Sequence, residues 1–418
     1  MSISISSSFD GSKADIKLNG RVVLSLHSDQ NSFINYPTRS DFSDSSNSIA
    51  SALFVANNDY RQSLTNYGWA KNNNLGSTIV SVLQKTNVLL GRDSIDVQIN
   101  SGTFPGSLAF AGGVLLPDGR VFCVPANSTS ARIYDTITGT NVTIGTYPGV
   151  GAFDGGVLLS DGRVFCVPAN STSARIYNPI TNIVSTPTGA YPGTSAFSGG
   201  ILLADGRVFC IPKNSTTARI YNPTTNAIST PYGTYGGNAA FSGGVLLPDG
   251  RVFCVPYNSI TARIYDPIAD TLIIPQGFYP GKGAFKGGVL LPDGRVYCVP
   301  ANSTAARIYN PVTNSMTIAS GAHLGGIAND GGVLLPDGRV FCVPANAITA
   351  RVYDPITDTT SIPGGAYPRT LAFAGGVLLP DGRVFCVPAN AYTSVLFGQS
   401  QLNNYPMNVL LSSFLNKR

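Results

Sequence analysis

Residues that could carry out acid–base or nucleophilic chemistry are scarce in this sequence. It contains only two histidines, His27 and His323, and all 22 of its acidic residues are aspartate. Glycosidases generally use paired carboxylates that include glutamate, and these are absent. Neither a glycine-rich phosphate loop nor a nucleophile elbow occurs. We therefore predict no catalytic residue, no cofactor and no metal site, and we expect that the protein is not an enzyme.

Seven cysteines recur at one position of a repeated segment, Val-Phe-Cys-Val-Pro and its variants. They are Cys123, Cys166, Cys210, Cys254, Cys298, Cys342 and Cys386. An odd number cannot pair completely within one chain, and equivalent positions in neighbouring units should lie too far apart for a disulfide. We predict unpaired and mostly buried thiols, which fit assembly in a reducing compartment. The alternative, a ring of thiols that binds a metal, lacks accompanying histidines.

An arginine also recurs, in the segment Ala-Arg-Ile-Tyr. It occupies Arg132, Arg175, Arg219, Arg263, Arg307 and Arg351, and the last unit has Val395 instead. A residue present in almost every unit generally serves the unit itself. We predict that these arginines pair with a nearby turn aspartate or bind carbonyl groups at strand ends. The alternative is a ring of equivalent ligand sites.

Positions that differ between the units are the best guide to a binding surface. Two loop positions vary while the opposite side of each unit, with its Pro-Asp-Gly turn, stays nearly constant. We predict a recognition surface on one arc of the repeat array, formed by Lys213, Tyr257, Lys286, His323 and Asp330. Tyrosine offers a stacking surface for a sugar ring, and the other side chains offer directional hydrogen bonds. The alternative is neutral drift on exposed loops.

The elements that must position these residues are repeated strands. Asp-Gly-Arg occurs every 43 or 44 residues, starting at Asp118, Asp161, Asp205, Asp249, Asp293, Asp337 and Asp381. Each unit contains four strand-length segments: Gly-Gly-Val-Leu-Leu, a turn at Pro-Asp-Gly, Arg-Val-Phe-Cys-Val, Ala-Arg-Ile-Tyr and a weaker Thr/Ile/Ser stretch. Four strands in about 44 residues is the size of one blade of a β-propeller.

The two ends of the repeat array complement each other. The seventh unit stops after its third strand, at residues 394–398, and an orphan fourth strand precedes the first unit at residues 94–106. An open blade would leave unpaired backbone at a sheet edge. We therefore predict an all-β protein with a seven-bladed, four-stranded propeller over residues 94–398, closed by donation of the N-terminal strand.

The unit resembles Kelch and galactose-oxidase-like blades, through Val-Leu-Leu-Pro-Asp-Gly-Arg-Val-Phe-Cys-Val followed by Arg-Ile-Tyr-Asp-Pro. Two features depart from the Kelch pattern: Pro-Ala-Asn replaces the double glycine after the second strand, and the tryptophan of the fourth strand is absent. Copper chemistry of the galactose-oxidase type needs two histidines with tyrosine ligands in the propeller. The resemblance therefore implies the fold and does not carry over that activity.

The segments outside the array have different patterns. Residues 1–93 contain a hairpin signal around Asn19-Gly20, and we predict a small, mainly-β domain for attachment or oligomerisation. Its segment Ile-Ala-Ser-Ala-Leu-Phe-Val, residues 49–55, resembles a segment of phage-type tail fibres. In the tail, residues 399–418, apolar residues at helical spacing predict a short docking helix.

Charge and composition narrow the choice of partners. The net charge is +5, but no basic run occurs, so we predict no nucleic-acid partner. We find neither a signal peptide nor a membrane-spanning segment. We predict a non-enzymatic virion protein, assembled in the host cytoplasm, that binds other virion proteins or its own copies through residues 1–93. Its propeller would bind a host-surface glycan or protein. The alternative is an intracellular Kelch-type adaptor.

Overall fold

The computed structural model describes residues 3–7, 13–18, 21–27, 97–99, 103–368 and 370–398. In these segments every regular element is a β-strand, and the strands form one three-stranded sheet and seven four-stranded antiparallel sheets. No described segment is a helix of the length and apolarity that crossing a membrane requires. The predicted all-β class with seven four-stranded blades is confirmed.

The N-terminal sheet consists of β1 (Ile3–Ser7), β2 (Lys13–Leu18) and β3 (Arg21–His27), in that order. Leu18 pairs with Arg21, so a two-residue Asn-Gly connection joins β2 to β3, as the hairpin signal predicts. The tail-fibre-like segment, residues 49–55, and the predicted docking helix lie outside the described residues. The domain limits 1–93, 94–398 and 399–418 therefore stay predictions.

Each blade of the propeller contributes a first strand near the axis and a second strand beside it. The first strands are β5 (Phe110–Leu115), β9 (Phe153–Leu158), β13 (Phe197–Leu202), β17 (Phe241–Leu246), β21 (Phe285–Leu290), β25 (Asn329–Leu334) and β29 (Phe373–Leu378). The second strands are β6 (Val121–Pro125), β10 (Val164–Pro168), β14 (Val208–Pro212), β18 (Val252–Pro256), β22 (Val296–Pro300), β26 (Val340–Pro344) and β30 (Val384–Pro388). All second strands are fully buried, which explains their continuous apolar sequence.

The third and fourth strands complete each sheet. The third strands are β7 (Ala131–Tyr134), β11 (Arg175–Asn178), β15 (Arg219–Asn222), β19 (Arg263–Asp266), β23 (Arg307–Asn310), β27 (Arg351–Asp354) and β31 (Val395–Phe397). The fourth strands are β8 (Asn141–Ile144), β12 (Ile183–Ser185), β16 (Ala227–Ser229), β20 (Thr271–Ile273), β24 (Ser315–Ile318), β28 (Thr359–Ser361) and, for blade 7, β4 (Val97–Ile99).

Blade 7 is completed by a strand from the other end of the array, as predicted. In β4, Val97 pairs with Phe397 and Ile99 pairs with Val395, both in antiparallel register. The donated strand removes the unpaired edge that the truncated seventh unit would otherwise expose. Residues separated by almost the whole propeller sequence are therefore joined in one sheet.

Aromatic stacking holds each blade against the next one. The last aromatic residue of each third strand, which is tyrosine in blades 1 to 6 and Phe397 in blade 7, stacks on the second-strand aromatic ring of the preceding blade. For Tyr177 and Phe122 the ring centroids are 5.0 Å apart and the rings are nearly parallel. The same contact joins blade 7 to blade 1, where Phe385 stacks on Tyr134 at 4.5 Å. Such pairs add about 0.5–1.5 kcal/mol each beyond the area that they bury. The ring closure therefore uses the same packing as every other blade contact.

The repeated cysteines lie on the second strands. All seven are free and have no exposed surface, as predicted. Burial raises the pKa of each thiol, to about 12 for Cys210 and Cys342. In the part of the chain that the structure describes, no group of three or more His, Cys or Asp side chains could hold a metal ion. The thiols are packing residues of the blade cores.

The two recurring arginines have different partners. The third-strand Arg175 donates to the Ser173 hydroxyl at 2.8 Å and to the Ala174 carbonyl at 3.0 Å. It therefore binds a strand-end carbonyl, the second of the two predicted arrangements. The turn Asp161 instead pairs with Arg163, two residues farther along in Asp-Gly-Arg, at 2.6 Å. Both arginines thus stabilise local backbone geometry in their own blade.

Candidate functional site

The strand directions define two faces of the propeller. One face carries the Pro-Asp-Gly turns between first and second strands and the turns between third and fourth strands; we call it the turn face. The opposite face, the loop face, carries the connections between second and third strands and those between blades. β31 runs towards the turn face, and Phe397 at its end pairs with Val97 at the start of β4. The chain therefore enters β4 and leaves β31 at the turn face.

A ring of seven glycines surrounds the propeller axis. Its members are Gly112, Gly155, Gly199, Gly243, Gly287, Gly331 and Gly375. Their φ angles lie between +75° and +89°, and a Cβ added to any of them would be 3.0–3.5 Å from the Cα of the next member. Only glycine combines this backbone conformation with such close approach. The ring fixes the first strands at a common distance from the axis.

The residue before each of these glycines lies on the loop-face side of the ring. This position holds Ala111, Asp154, Ser198, Ser242, Lys286, Asp330 and Ala374 in blades 1 to 7. Neighbouring members contact each other: the hydroxyls of Ser198 and Ser242 are 3.2 Å apart, and the Lys286 ammonium donates to Asp330. Lys213, which directly follows β14, adds a third contact by donating to Asp154 at 3.3 Å. We call Asp154, Lys213, Lys286 and Asp330, with the two serines, the axial cluster.

The four charged side chains of the axial cluster are recessed but accessible. Between 14% and 29% of their side-chain surface is exposed, whereas Ser198 and Ser242 are buried. Burial alone would raise the pKa of Asp154, but the ammonium groups of Lys213 and Lys286 and a hydrogen bond from Ser198 outweigh it, so this pKa lies below its ordinary value. Burial opposes the charge of Lys286, but Asp330 and Asp154 outweigh it and raise its pKa. Both groups are therefore charged at neutral pH.

Tyr257 lies beside the cluster. It directly follows β18, and its ring is 3.0 Å from the point where a Cβ on Gly283 would be. Its hydroxyl is within electrostatic reach of Lys286. The absence of a side chain at Gly283, in the loop that leads to β21, leaves the space that the tyrosine ring occupies.

The structure brings together four of the five predicted site residues. Lys213, Lys286 and Asp330 meet near the axis through ion pairs and through Asp154, instead of lying along an arc of exposed loops. Tyr257 lies within electrostatic reach of Lys286. Sequence reasoning left out Asp154, which interacts with both lysines. A signal for it was present, since Asp154 occupies the same variable position as Lys286 and Asp330. The side chains that meet come from blades 2 to 6, while blades 7 and 1 contribute alanines.

His323 does not lie on the exposed surface that the sequence predicts. Only 5% of it is exposed, and its Nε2 is 3.2 Å from the hydroxyl of Tyr297 in β22. Asn329, the other departure of the sixth unit, is 1% exposed and donates to the Pro300 carbonyl at 2.9 Å. These unusual residues of the sixth unit are therefore accommodated in the interior, where they pack blade 6 against blade 5.

Comparisons with known proteins identify the fold. No family profile matches the sequence, and no characterised protein matches it at the sequence level. Among solved structures, a streptogramin B lyase is similar, with a TM-score of 0.62 and 11% identity over 73% of this chain and 98% of that chain. Virginiamycin B lyase from Staphylococcus aureus and a catalytically inactive variant of it with quinupristin are also similar, each with a TM-score of 0.60 and 12% identity over 73% of this chain and 100% of theirs.

These similarities correct one prediction. The expectation that the protein is not an enzyme is contradicted, because the three structures named above, which share its fold, are of lyases. A propeller of this form is compatible with catalysis, so a shortage of familiar catalytic motifs does not exclude it. At 11–12% identity the likeness shows the fold alone, and no lyase activity of this chain follows from it. The comparisons lend no support to the resemblances to Kelch repeats and to tail fibres.

Proposed function

We propose that the propeller is a recognition head and that its axial cluster binds a molecule on a host surface. The observation that carries this proposal is the break in sevenfold symmetry at the axis. Blades 2 to 6 place charged or hydroxyl side chains at the position before the glycine ring, and blades 7 and 1 place alanines there. Among the five polar residues, Ser198 and Ser242 are the only identical neighbours. If this position served only the packing of its own blade, the same residue would recur there in every blade, as it does at the cysteine position.

The course of the chain supports such a head. Both connections of the propeller, into β4 and out of β31, are on the turn face, opposite the axial cluster. This arrangement suits a protein that is held through its ends and binds with its loop face. We propose that residues 1–93 attach it to other virion proteins. The basis for this part is the fibre-like segment, residues 49–55, in the sequence.

The test is binding of the labelled full-length chain to two arrays, one of immobilised glycans and one of glycan-free cell-surface proteins. Lys286→Met should reduce binding by about tenfold or more, because a charge-assisted hydrogen bond is lost at the centre of the cluster. Lys282→Met is the matched control, since Lys282 is an exposed lysine four residues away. Thermal midpoints of both variants must match that of the wild type.

Two results would contradict the proposal. Equal binding by the wild type and Lys286→Met would place recognition outside the axial cluster. A wild-type chain that binds neither array would remove the basis for a recognition head.

A further inference from the structure

The axial cluster contains two ion pairs, each of which presents a donor next to an acceptor. Lys213 pairs with Asp154 at 3.3 Å, and Lys286 pairs with Asp330. In the described part of the chain, each ammonium group donates one hydrogen bond to a side chain, although it carries three N–H groups. Each carboxylate has two oxygens with several acceptor sites. Both pairs can therefore still donate and accept hydrogen bonds, and they do so on a surface that a ligand can reach.

A hydroxyl group can donate and accept at the same time, whereas an ammonium only donates and a carboxylate only accepts. Two hydroxyls on adjacent carbon atoms can therefore satisfy one Lys–Asp pair: one donates to the carboxylate and the other accepts from the ammonium. We propose, resting on the function proposed above, that the axial cluster binds a neutral saccharide and that each ion pair binds a vicinal diol of it.

The charge balance of the cluster favours a neutral ligand over an acidic one. Two lysines face two aspartates, and Lys286 interacts electrostatically with Asp154 as well as with Asp330. Each ammonium group has a carboxylate within hydrogen-bonding distance. An anionic ligand that approached the ammonium group would therefore also approach that carboxylate. Repulsion from that carboxylate would cancel much of the attraction. A polyhydroxylated ligand meets no such penalty.

Apolar surface beside the cluster suits the C–H faces of a sugar ring. Ala374 and Ala111, in adjacent blades 7 and 1, separate Asp330 from Asp154 in the order around the axis. On the other side, the Tyr257 ring lies against Gly283, and its hydroxyl is within electrostatic reach of Lys286. Aromatic rings provide flat apolar contact with a polar edge. The cluster therefore offers ion pairs that can bind diols and apolar surface that can contact C–H groups, both near one axis. These two features match the hydroxyl groups and the C–H faces of a saccharide.

The experiment uses the full-length chain and an array of neutral, sialylated and sulfated glycans. Each glycan is printed twice, and one copy is treated with sodium periodate and then borohydride, because periodate cleaves vicinal diols; the other receives borohydride alone. We expect binding to neutral glycans that falls more than tenfold after periodate and in Lys286→Met, but not in Lys282→Met. Raising NaCl from 0.05 to 0.5 M should change this binding less than about threefold, because no net charge is matched.

The outcomes separate the ligand class from the proposed function. Binding that Lys286→Met abolishes but periodate leaves intact would overturn the diol proposal and retain recognition by the axial cluster. The same holds for binding confined to acidic glycans with steep salt dependence, or to glycan-free proteins alone. Binding that is equal in the wild type and Lys286→Met overturns both proposals, and so does the absence of binding to every glycan and protein.

Discussion

At the scale of single residues, the boundary between blades 5 and 6 has two linked substitutions inside the core. Most units place a tyrosine in the loop between blades and a phenylalanine in the second strand; this unit boundary has His323 and Tyr297. Compared with most units, the hydroxyl is here on the second-strand ring and absent from the loop ring. The Tyr297 hydroxyl is 3.2 Å from Nε2 of His323. The same hydroxyl is 3.8 Å from the Cys342 sulfur. Tyr297 therefore gives the buried His323 a hydrogen-bonding partner that a phenylalanine at this position would not provide.

We predict that His323 makes the protein less stable in acid. Burial, with a smaller contribution from the charge of Arg351, lowers the pKa of His323 to about 4. An unfolded chain binds this proton below about pH 6.5, whereas the folded chain binds it only near pH 4. The free energy of unfolding should therefore fall by about 3 kcal/mol from this group as the pH drops from 6.5 to 4.

The measurement is urea unfolding of the full-length chain at several pH values. The control is the triple variant Tyr297→Phe, His323→Tyr, Asn329→Phe, which restores the residues of the other units and retains all aspartates. The variant should lose less stability than the wild type over this pH range. Parallel pH profiles for the two proteins would show that His323 does not titrate as the structure implies.

At the scale of elements, the ring depends on one short donated strand. β4 has three residues, all paired with β31, and it is the outer strand of blade 7. Blades 7 and 1 are also connected by the stack of Phe385 on Tyr134 and by Asn390, whose Oδ1 accepts from the Leu108 amide at 2.7 Å. A backbone hydrogen bond from the Ala109 amide to the Ala389 carbonyl, at 3.1 Å, adds to these contacts. The ring is therefore closed both by backbone pairing and by side-chain contacts of the kind that join other blades.

We predict that removal of β4 destabilises the propeller even when the rest of the N-terminal region is already absent. Two truncated chains are compared: one begins at Ile95 and keeps β4, and the other begins at Thr103 and lacks it. The shorter chain should be less stable by about 2 to 4 kcal/mol, because it loses the backbone hydrogen bonds of three residue pairs. Chemical unfolding monitored by circular dichroism measures the difference. Indistinguishable unfolding curves would mean that β4 contributes nothing to closure.

At the scale of the whole molecule, seven blades fit around the axis because their backbones can approach closely there. The glycine ring gives each first strand a positive φ and contact with the backbone of the next strand. Side chains at this position would push neighbouring first strands apart. Because each blade also packs on its neighbours through a buried aromatic stack, such a displacement would disturb contacts around the ring.

We predict that Gly243→Ala costs more stability than Gly250→Ala. Both glycines have a positive φ, at +75° and +87°, so both variants bear the conformational penalty of about 1–2 kcal/mol. A Cβ at Gly243 would also be 3.0 Å from the Gly287 Cα, whereas a Cβ at Gly250 meets nothing within 4 Å. The extra cost should be about 1–3 kcal/mol, as for overpacked cores. Thermal or urea unfolding measures it, and equal losses would refute crowding at the axis.

The sequence by itself determined the strands, their number per blade and the closure of the ring. Periodic turn signals such as Pro-Asp-Gly act locally, and the missing strand at one end matches an orphan strand at the other, so neither inference needs coordinates. The buried cysteines followed from the same repetition. Local patterns were sufficient because each strand pairs with its sequence neighbour in every blade except the last.

Tertiary structure alone decided which variable residues meet. Asp154 and Lys286 belong to blades 2 and 5, and they interact only because closure of the ring brings the first strands to a common axis. It also decided that His323 is buried although it follows a surface loop, because the space between two blades depends on the packing of both. Such contacts depend on how the sheets are arranged around the ring, and no local sequence signal encodes that arrangement residue by residue.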